Sequence, residues 1–349
     1  MPGPLPPADL EHILSHTASL WEPLRGKRLF ISGGTGTFGC WLLESFDLAN
    51  RQLKLGADTT VLTRDVNAFG EKAPHLQNCP GIHFHEGDVR KFNFPPGKFH
   101  AIIHAATEAS AKKNLEKPLL MLDTITDGTR RMLAFARHCH AKSFLLLSSG
   151  AVYGAQPVGM NSIPEDYTGA PDPAAAASAY GEGKRDAELL CHIYARRTGL
   201  KVKIARSFSL VGPWLPLKSH FAIGNFIDDA MAGRPIDIKG DGTPVRSYLY
   251  AADLTIWLWT ILFAGVVGRP YNVGSSIGLS IAETAEAVRR ALGRKEPVSI
   301  ALTPVPGQVP ARYVPDTSRA VKELGVREWI GLEDAIRKTA QWHEEQKSF

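Results

Sequence analysis

"KRLFISGGTGTFGCWLLESF", residues 27–46, is an apolar run that breaks into glycines and then resumes with a helix-like pattern. RLFIS is apolar at nearly every position, as a parallel strand is when helices cover both faces of its sheet. The segment FGCWLLESF predicts the helix that follows. Between them Gly33, Gly36 and Gly39 form G-x-x-G-x-x-G. At a strand-to-helix junction that spacing serves a tight turn, backbone approach to a pyrophosphate, and close packing of helix on sheet, with the helix N-terminus facing negative charge. Thr35, Thr37 and Phe38 join the glycines as expected cofactor contacts.

Outward from this loop the pattern repeats. Short runs, TTVLT, GIHFHEGDV, FHAIIHAA, KSFLLLSS and KVKIARSF, alternate with helical stretches, which predicts a doubly wound parallel α/β sheet, the Rossmann arrangement. Residues 26–207 read as the dinucleotide-binding domain, with a further strand near 270–274. Residues 208–349 read as mainly a smaller C-terminal α/β lobe for substrate, interleaved with the first domain, because there the regular alternation gives way to Gly/Pro-punctuated segments such as IKGDGTPVRS. Residues 1–25, with four prolines in the first seven, read as a flexible arm leading into a short helix.

Composition narrows the class. Hydrophobic residues at 44% and charged residues at 21% are ordinary for a globular chain. The net charge of +5 includes no dense Lys/Arg block, so a small anion, not a nucleic acid, is the expected partner of the basic residues. Cys40, Cys79, Cys139 and Cys191 lie far apart, implying neither a disulfide framework nor a metal site, and fit a cytoplasmic setting. The most apolar stretch, Leu254–Val267, is shorter than the ~20 residues needed to span a bilayer, so a buried helix is expected and no membrane partner.

The second strand bears on which dinucleotide binds. NAD-binding units usually end this strand with Asp or Glu, which accepts from the ribose 2′-hydroxyl. Here Thr63 stands at that position with Arg64 next, and a guanidinium would pair with a 2′-phosphate. The reading favours NADP over NAD, and Asp65 keeps NAD open if the register differs by two.

Chemistry enters after the fifth run. Tyr180 and Lys184 are four apart on a predicted helix and share one face. An ammonium within ~4 Å of a phenol, at an effective dielectric of ~20, favours the phenolate by ~4 kcal/mol, about three pKa units. Such a tyrosine could act as a base near neutral pH. Ser148 and Ser149 close the preceding strand at its C-terminal end, where doubly wound folds bind ligands.

These motifs, with GDV at 87–89, HAA at 104–106, RSFSLVGP, GDGTPVRSYLYAADL and YNVGS in order, make the chain resemble the extended short-chain dehydrogenase/reductase family, in its nucleotide-sugar epimerase/dehydratase branch. The resemblance runs from about Lys27 to Trp342. It implies cofactor contacts from Asp88, Val89, His104, Ala105, Ala106 and Ser148, a sugar oxygen held by Ser149, Tyr180 as acid/base, and Lys184 on the nicotinamide ribose. It implies a nucleoside-diphosphate sugar as substrate, its diphosphate met by Arg246 and Arg312, with Ser209, His220 and Asn225 as further substrate contacts. It also implies a homodimer through helices around Leu119–His138 and Tyr180–Arg197.

Two departures shape the expected reaction. Where dehydratases and decarboxylases of the family carry a carboxylate after the catalytic Ser/Thr, this chain has Gly150 and Ala151. Dehydration or decarboxylation would then need an acid/base from elsewhere, with Glu165 and Asp166 as candidates. The main expectation is hydride transfer at one sugar carbon, as an epimerase or a 4-ketosugar reductase. Reduction of a flavonoid-like or steroid-like carbonyl fits the fold but leaves Arg246 without a task. A non-catalytic cofactor sensor would have no use for Ser149, Tyr180 and Lys184 together.

Overall fold

The computed structural model of the chain describes residues 3–107, 111–219 and 221–347. All six predicted runs form strands: β1 (Arg28–Ser32), β2 (Asp58–Thr63), β3 (Ile82–Glu86), β4 (Ala101–His104), β5 (Ser143–Ser149) and β6 (Lys201–Ser207). With Pro270–Val273 they make one seven-stranded sheet in the order Pro270–Val273, β6, β5, β4, β1, β2, β3. Every pairing is parallel, with Ile31 opposite both Val61 and Ile103.

The near-continuous apolar runs are explained by burial on both faces. On β1 and β5, Leu29, Ile31, Leu145 and Leu147 enter one core, packed with the helices Thr37–Gln52 and Ala251–Ala264. Their neighbours Phe30, Phe144 and Leu146 enter the opposite core, against Pro118–His138 and Ala179–Thr198. Alternate residues thus serve alternate layers, as the pleat requires. The helix Ala251–Ala264 is buried from Ala251 to Leu262, so its all-round apolarity belongs to an internal helix. No helix among the described residues is long and apolar enough to cross a membrane.

The chain runs outward from β1 to β2 and β3, then crosses to β4 on the other side of β1. That reversal opens a crevice at the C-terminal ends of β1 and β4, the usual ligand position in such sheets. Smaller elements roof its far end. Val245–Arg246 pairs antiparallel with Leu279–Ser280 and parallel with Arg312–Tyr313.

The N-terminal arm differs from the expectation of a flexible lead. Leu5 is buried and its N–H donates to Glu44 Oε2 at 2.6 Å, while Trp342 Nε1 donates to the Pro4 carbonyl at 3.0 Å. The following helix, Pro7–Thr17, buries Asp9, which accepts from the Tyr250 hydroxyl and from Lys338. Prolines removed backbone donors from the arm, and the body of the protein supplied its contacts instead.

Candidate active site

At Gly33 the chain turns with φ of +75°, and a Cβ there would stand 2.6 Å from the Ala105–Ala106 backbone. At Gly39 a Cβ would stand 2.2 Å from Gly34. A side chain at either place would push the loop off β4 or the helix off the loop. The helix Thr37–Gln52 begins here, with no side chain capping it. Its first-turn residues Thr37 and Phe38 line a cleft of about 1110 Å³. Uncapped first-turn N–H groups at such a point suit an anionic ligand.

The cleft runs across the sheet's end. Gly33, Thr35, Gly36, Thr63, Arg64, Asp88 and Val89 line one part of it, Ala105 and Ala106 another, and Ser148, Ser149, Tyr180, Lys184 and Ser209 a third. The structure therefore brings together most of the residues that the sequence singled out. Three further lining residues, Thr107, Asn114 and Ser207, each hold a buried side-chain oxygen with no hydrogen-bond partner among the described residues. Such atoms are costly unless something polar meets them, which fits a dinucleotide and its substrate.

At the far end from the glycine loop the chemistry is concentrated. Ser149 ends β5, and its Oγ accepts from Ala151 N–H at 3.2 Å. Tyr180, one residue into Ala179–Thr198, lines the cleft with Ser149. Lys184 lies one turn on, buried, donating to the Leu147 carbonyl at 2.9 Å, with its Nζ 5.9 Å from the Tyr180 ring centre. Burial draws the ammonium down to about 8, against a pull upward from Glu188. Burial also raises the Tyr180 phenol above its ordinary value, opposed by the Ser149 hydroxyl nearby. Lys184 spends a hydrogen bond on the Leu147 carbonyl, and burial sets the direction in which the phenol moves.

A polar network braces this corner. Ser148 donates to Glu188, and Glu188 pairs with Arg206 at 2.7 Å. Arg206 also donates to the Tyr153 hydroxyl at 2.8 Å, and Tyr153 donates to Asn272 Oδ1. The Ser148 hydroxyl is thus engaged from behind.

Several predicted contacts stand outside the cleft wall. His104 is buried between Ser32 Oγ (2.7 Å) and Thr129 Oγ1 (3.1 Å), and desolvation draws it down to about 3, so it is a neutral brace between β1, β4 and a helix. Arg246 donates to the Val245 carbonyl and Arg312 to the Asn161 carbonyl, on adjacent strands beside the cleft. Asn225 donates to the Ser219 carbonyl. His220 lies outside the described residues. Glu165 is buried elsewhere, accepting from Asn272 N–H at 2.9 Å and facing Arg319, while Asp166 is exposed. Neither carboxylate takes the place left by Gly150 and Ala151.

At the adenosine end, Asp65 caps the helix Val66–Lys72 by accepting from Ala68 N–H, which occupies one oxygen of the carboxylate that kept NAD open. Asp88 pairs with Arg90 at 2.6 Å, and that hydrogen bond holds its carboxyl down at about 2. Sequence reasoning missed Phe208 and Tyr313, whose rings lie 4.5 Å apart and tilted by 33°, with both residues lining the cleft that Ser149 also lines. Tyr313 follows Arg312 in PARYVPD, and no spacing in the sequence ties it to Ser149.

Comparison with known proteins adds a second line. The profile of the NAD dependent epimerase/dehydratase family matches residues 29–274. UDP-glucuronic acid decarboxylase 1 of Danio rerio is 28% identical over 316 residues, 90% of this chain and 72% of that protein. UDP-glucuronic acid decarboxylase 3 of Arabidopsis thaliana is 31% identical over 311 residues, 88% of this chain and 86% of that protein. Among solved structures, a dTDP-glucose 4,6-dehydratase from Streptomyces venezuelae is similar at a TM-score of 0.76 with 24% identity, covering 92% of this chain and 98% of that one. A UDP-glucuronic acid 4-epimerase from Bacillus cereus gives 0.76 with 20% identity, covering 91% and 99%. At these identities the structural likeness speaks for the fold.

Proposed function

The chain belongs to the NAD dependent epimerase/dehydratase family, and on that premise we propose that it oxidises a secondary hydroxyl of a nucleoside-diphosphate sugar, with Tyr180 as the base. The observation that carries this is that Tyr180, Ser149 and Lys184, the last one turn on from Tyr180, stand together in the wall of the cleft that begins at the glycine loop. The nicotinamide cofactor, when bound, accepts the hydride from the sugar carbon. Tyr180 takes the hydroxyl proton as that hydride leaves, Ser149 holds the oxygen, and Lys184 supplies positive charge beside the phenol. The first turn of Thr37–Gln52 would hold the cofactor's pyrophosphate.

Of the ways to complete the reaction, loss of CO2 from a uronic acid is the one favoured by the relatives, several of them named UDP-glucuronic acid decarboxylases. Gly150 and Ala151 weigh against dehydration, which needs one group to take the C5 proton and another to protonate the departing C6 hydroxyl. They weigh less against decarboxylation. Once C4 is a ketone, the C6 carboxylate is that of a β-keto acid. Breaking the C5–C6 bond sends its electrons toward the C4 oxygen, beside the proton that Tyr180 has taken, and CO2 leaves without a base. C5 then needs one proton, which water can supply. Epimerisation is the second reading, favoured by the same lack of a titratable side chain at 150 and 151.

Incubation with NAD and UDP-glucuronic acid, followed by mass and NMR analysis, separates these outcomes. Loss of CO2 supports the first reading, and a C4 epimer the second. Tyr180→Phe should lower turnover ~10²–10⁴-fold, and full retention of activity would overturn the assignment of the base. The reading includes a homodimer, since Leu119, Leu189 and Ile193 are exposed on Pro118–His138 and Ala179–Thr198, two helices that pack together. Sedimentation at the monomer mass would refute it.

A further inference from the structure

The end of the sheet opposite the cleft carries a row of basic residues that no single stretch of sequence contains. Lys27 precedes β1, His100 precedes β4, Lys142 precedes β5, and Lys201 opens β6. The backbone holds them side by side. His100 N–H donates to the Arg28 carbonyl at 2.7 Å, Lys142 N–H to the His100 carbonyl at 2.9 Å, and Lys201 N–H to the Lys142 carbonyl at 3.2 Å. Three strand spacings separate β1 from β6, so the row is ~14 Å long. In the chain its lysines are scattered between positions 27 and 201, which is why no dense Lys/Arg block is visible there.

Lys27, Lys142 and Lys201 are exposed, and among the described residues none of them pairs with a carboxylate. Other charges at this end are engaged: Arg51 with Asp47, Arg269 with Glu323, and Asp58 with His83. Arg28 donates to the Pro96 carbonyl and lies over the Phe99 ring. Burial draws the His100 imidazole below its ordinary value, and the like charges of Lys27, Lys142, Lys201 and Lys203 draw it the same way. An apolar tip stands next to the row. Gly268 N–H donates to the Val202 carbonyl at 2.8 Å, and Arg269 N–H to the Val266 carbonyl at 3.2 Å, which sets a tight turn beside Lys201. Val266 and Val267 in that turn are 48% and 50% exposed.

We propose that this edge docks the protein on an anionic membrane surface, with Lys27, Lys142 and Lys201 meeting lipid headgroups and Val266 and Val267 entering the interface beside them. Such docking needs no spanning segment. A row of this length suits a surface of repeated charges better than one small anion. The valines favour lipid over nucleic acid, because an aliphatic tip adds nothing to contacts with a phosphate backbone. The cleft opens at the C-terminal ends of the strands, so a protein docked by the other edge keeps it open to substrate.

The test mixes the full chain with vesicles of equal parts phosphatidylcholine and phosphatidylserine, or of phosphatidylcholine alone, and reads the bound fraction by co-sedimentation. Binding should require phosphatidylserine and weaken as salt is raised. Each lysine near such a surface contributes about fivefold, so Lys142→Ser should weaken binding ~5-fold, and Lys27→Ser, Lys142→Ser and Lys201→Ser together ~100-fold. Val267→Ser should weaken binding ~10-fold and leave its salt dependence unchanged. Circular dichroism, Tm and NAD binding should stay at native values, since all these side chains are exposed and far from the cleft. A native chain that ignores phosphatidylserine overturns the proposal, and so does binding that survives loss of all three lysines. If a DNA duplex binds with the same dependence on the lysines while Val267→Ser changes nothing, the row serves a nucleic acid and the membrane reading falls. Should the triple variant fail to fold, Lys142→Ser alone decides.

Discussion

Two lysines are buried under opposite ends of the β5–β6 pair, and they have different work. Lys184 donates to the carbonyl of Leu147, near the end of β5 where the cleft opens, with the Tyr180 ring beside it. Lys203 donates to Ser143 Oγ at 3.0 Å, at the start of β5, and to the Leu262 carbonyl at 2.6 Å. Leu262 sits in the last turn of Ala251–Ala264, where the helix end is negative and its carbonyls lack partners. Burial draws both ammoniums down to about 8. A perturbed lysine therefore does not mark a site by itself. What separates the two is the neighbour: a phenol in the wall of a cleft in one case, a helix C-terminus in the core in the other.

The comparison predicts opposite phenotypes. Lys184→Met should lower turnover ~10²-fold or more while leaving the fold intact, because it removes the positive charge beside the base. Turnover at the native level with the nucleotide sugar would break the distinction. Lys203→Met should leave turnover alone and change how stability depends on pH. Between pH 8 and 10.5 the unfolded chain holds a proton on Lys203 that the folded chain has released, so folding stability rises with pH through that window. Below pH 8 both states carry the proton and the full penalty for burying the charge stands. That contribution is at most ~3 kcal/mol, and smaller to the extent that solvent screens the ammonium. Urea melts at pH 8 and pH 10.5 should show a smaller rise for Lys203→Met than for the native chain, and equal rises would remove Lys203 from the account.

The same pair shows what a sequence discloses. Lys184 was legible because helical geometry ties it to Tyr180 through four intervening steps, and Gly33, Gly36 and Gly39 because a loop of nine residues builds its whole site locally. The sheet was legible for the same reason, since each strand's burial on two faces is written in its own residues. Lys203 sits in KVKIARSF, where its alternation with apolar neighbours gives no hint that it points into protein. Its partners come from β5 and from a helix some 60 residues away. Tyr313 belongs with Lys203 in this respect: a two-residue strand, Arg312–Tyr313, delivers its hydroxyl to the space in front of Gly150 through tertiary structure alone. Arg246 and Arg312 show the converse. Their residue type suggested a diphosphate clasp, and the fold engages both with backbone carbonyls at the cleft's edge.

A third cation, Arg64, extends the comparison to one that is not buried. It is exposed at the end of β2 and lines the adenosine part of the cleft. Asp65 beside it is engaged as a helix cap, so the carboxylate that would accept from a ribose 2′-hydroxyl and repel a 2′-phosphate is partly spent. A solvated guanidinium gains little from a neutral hydroxyl and more from a phosphate, so its effect should be a selectivity and not a loss of function. Arg64→Ala should weaken NADP binding ~10-fold, about 1.4 kcal/mol for one charge-assisted contact, and change NAD binding less than twofold. The small size follows from exposure, because water competes for the guanidinium in a way it cannot at Lys184. Equal losses for the two cofactors, measured by titration calorimetry, would mean that Arg64 meets the shared part of the dinucleotide, and the preference for NADP read from Thr63 and Arg64 would fall.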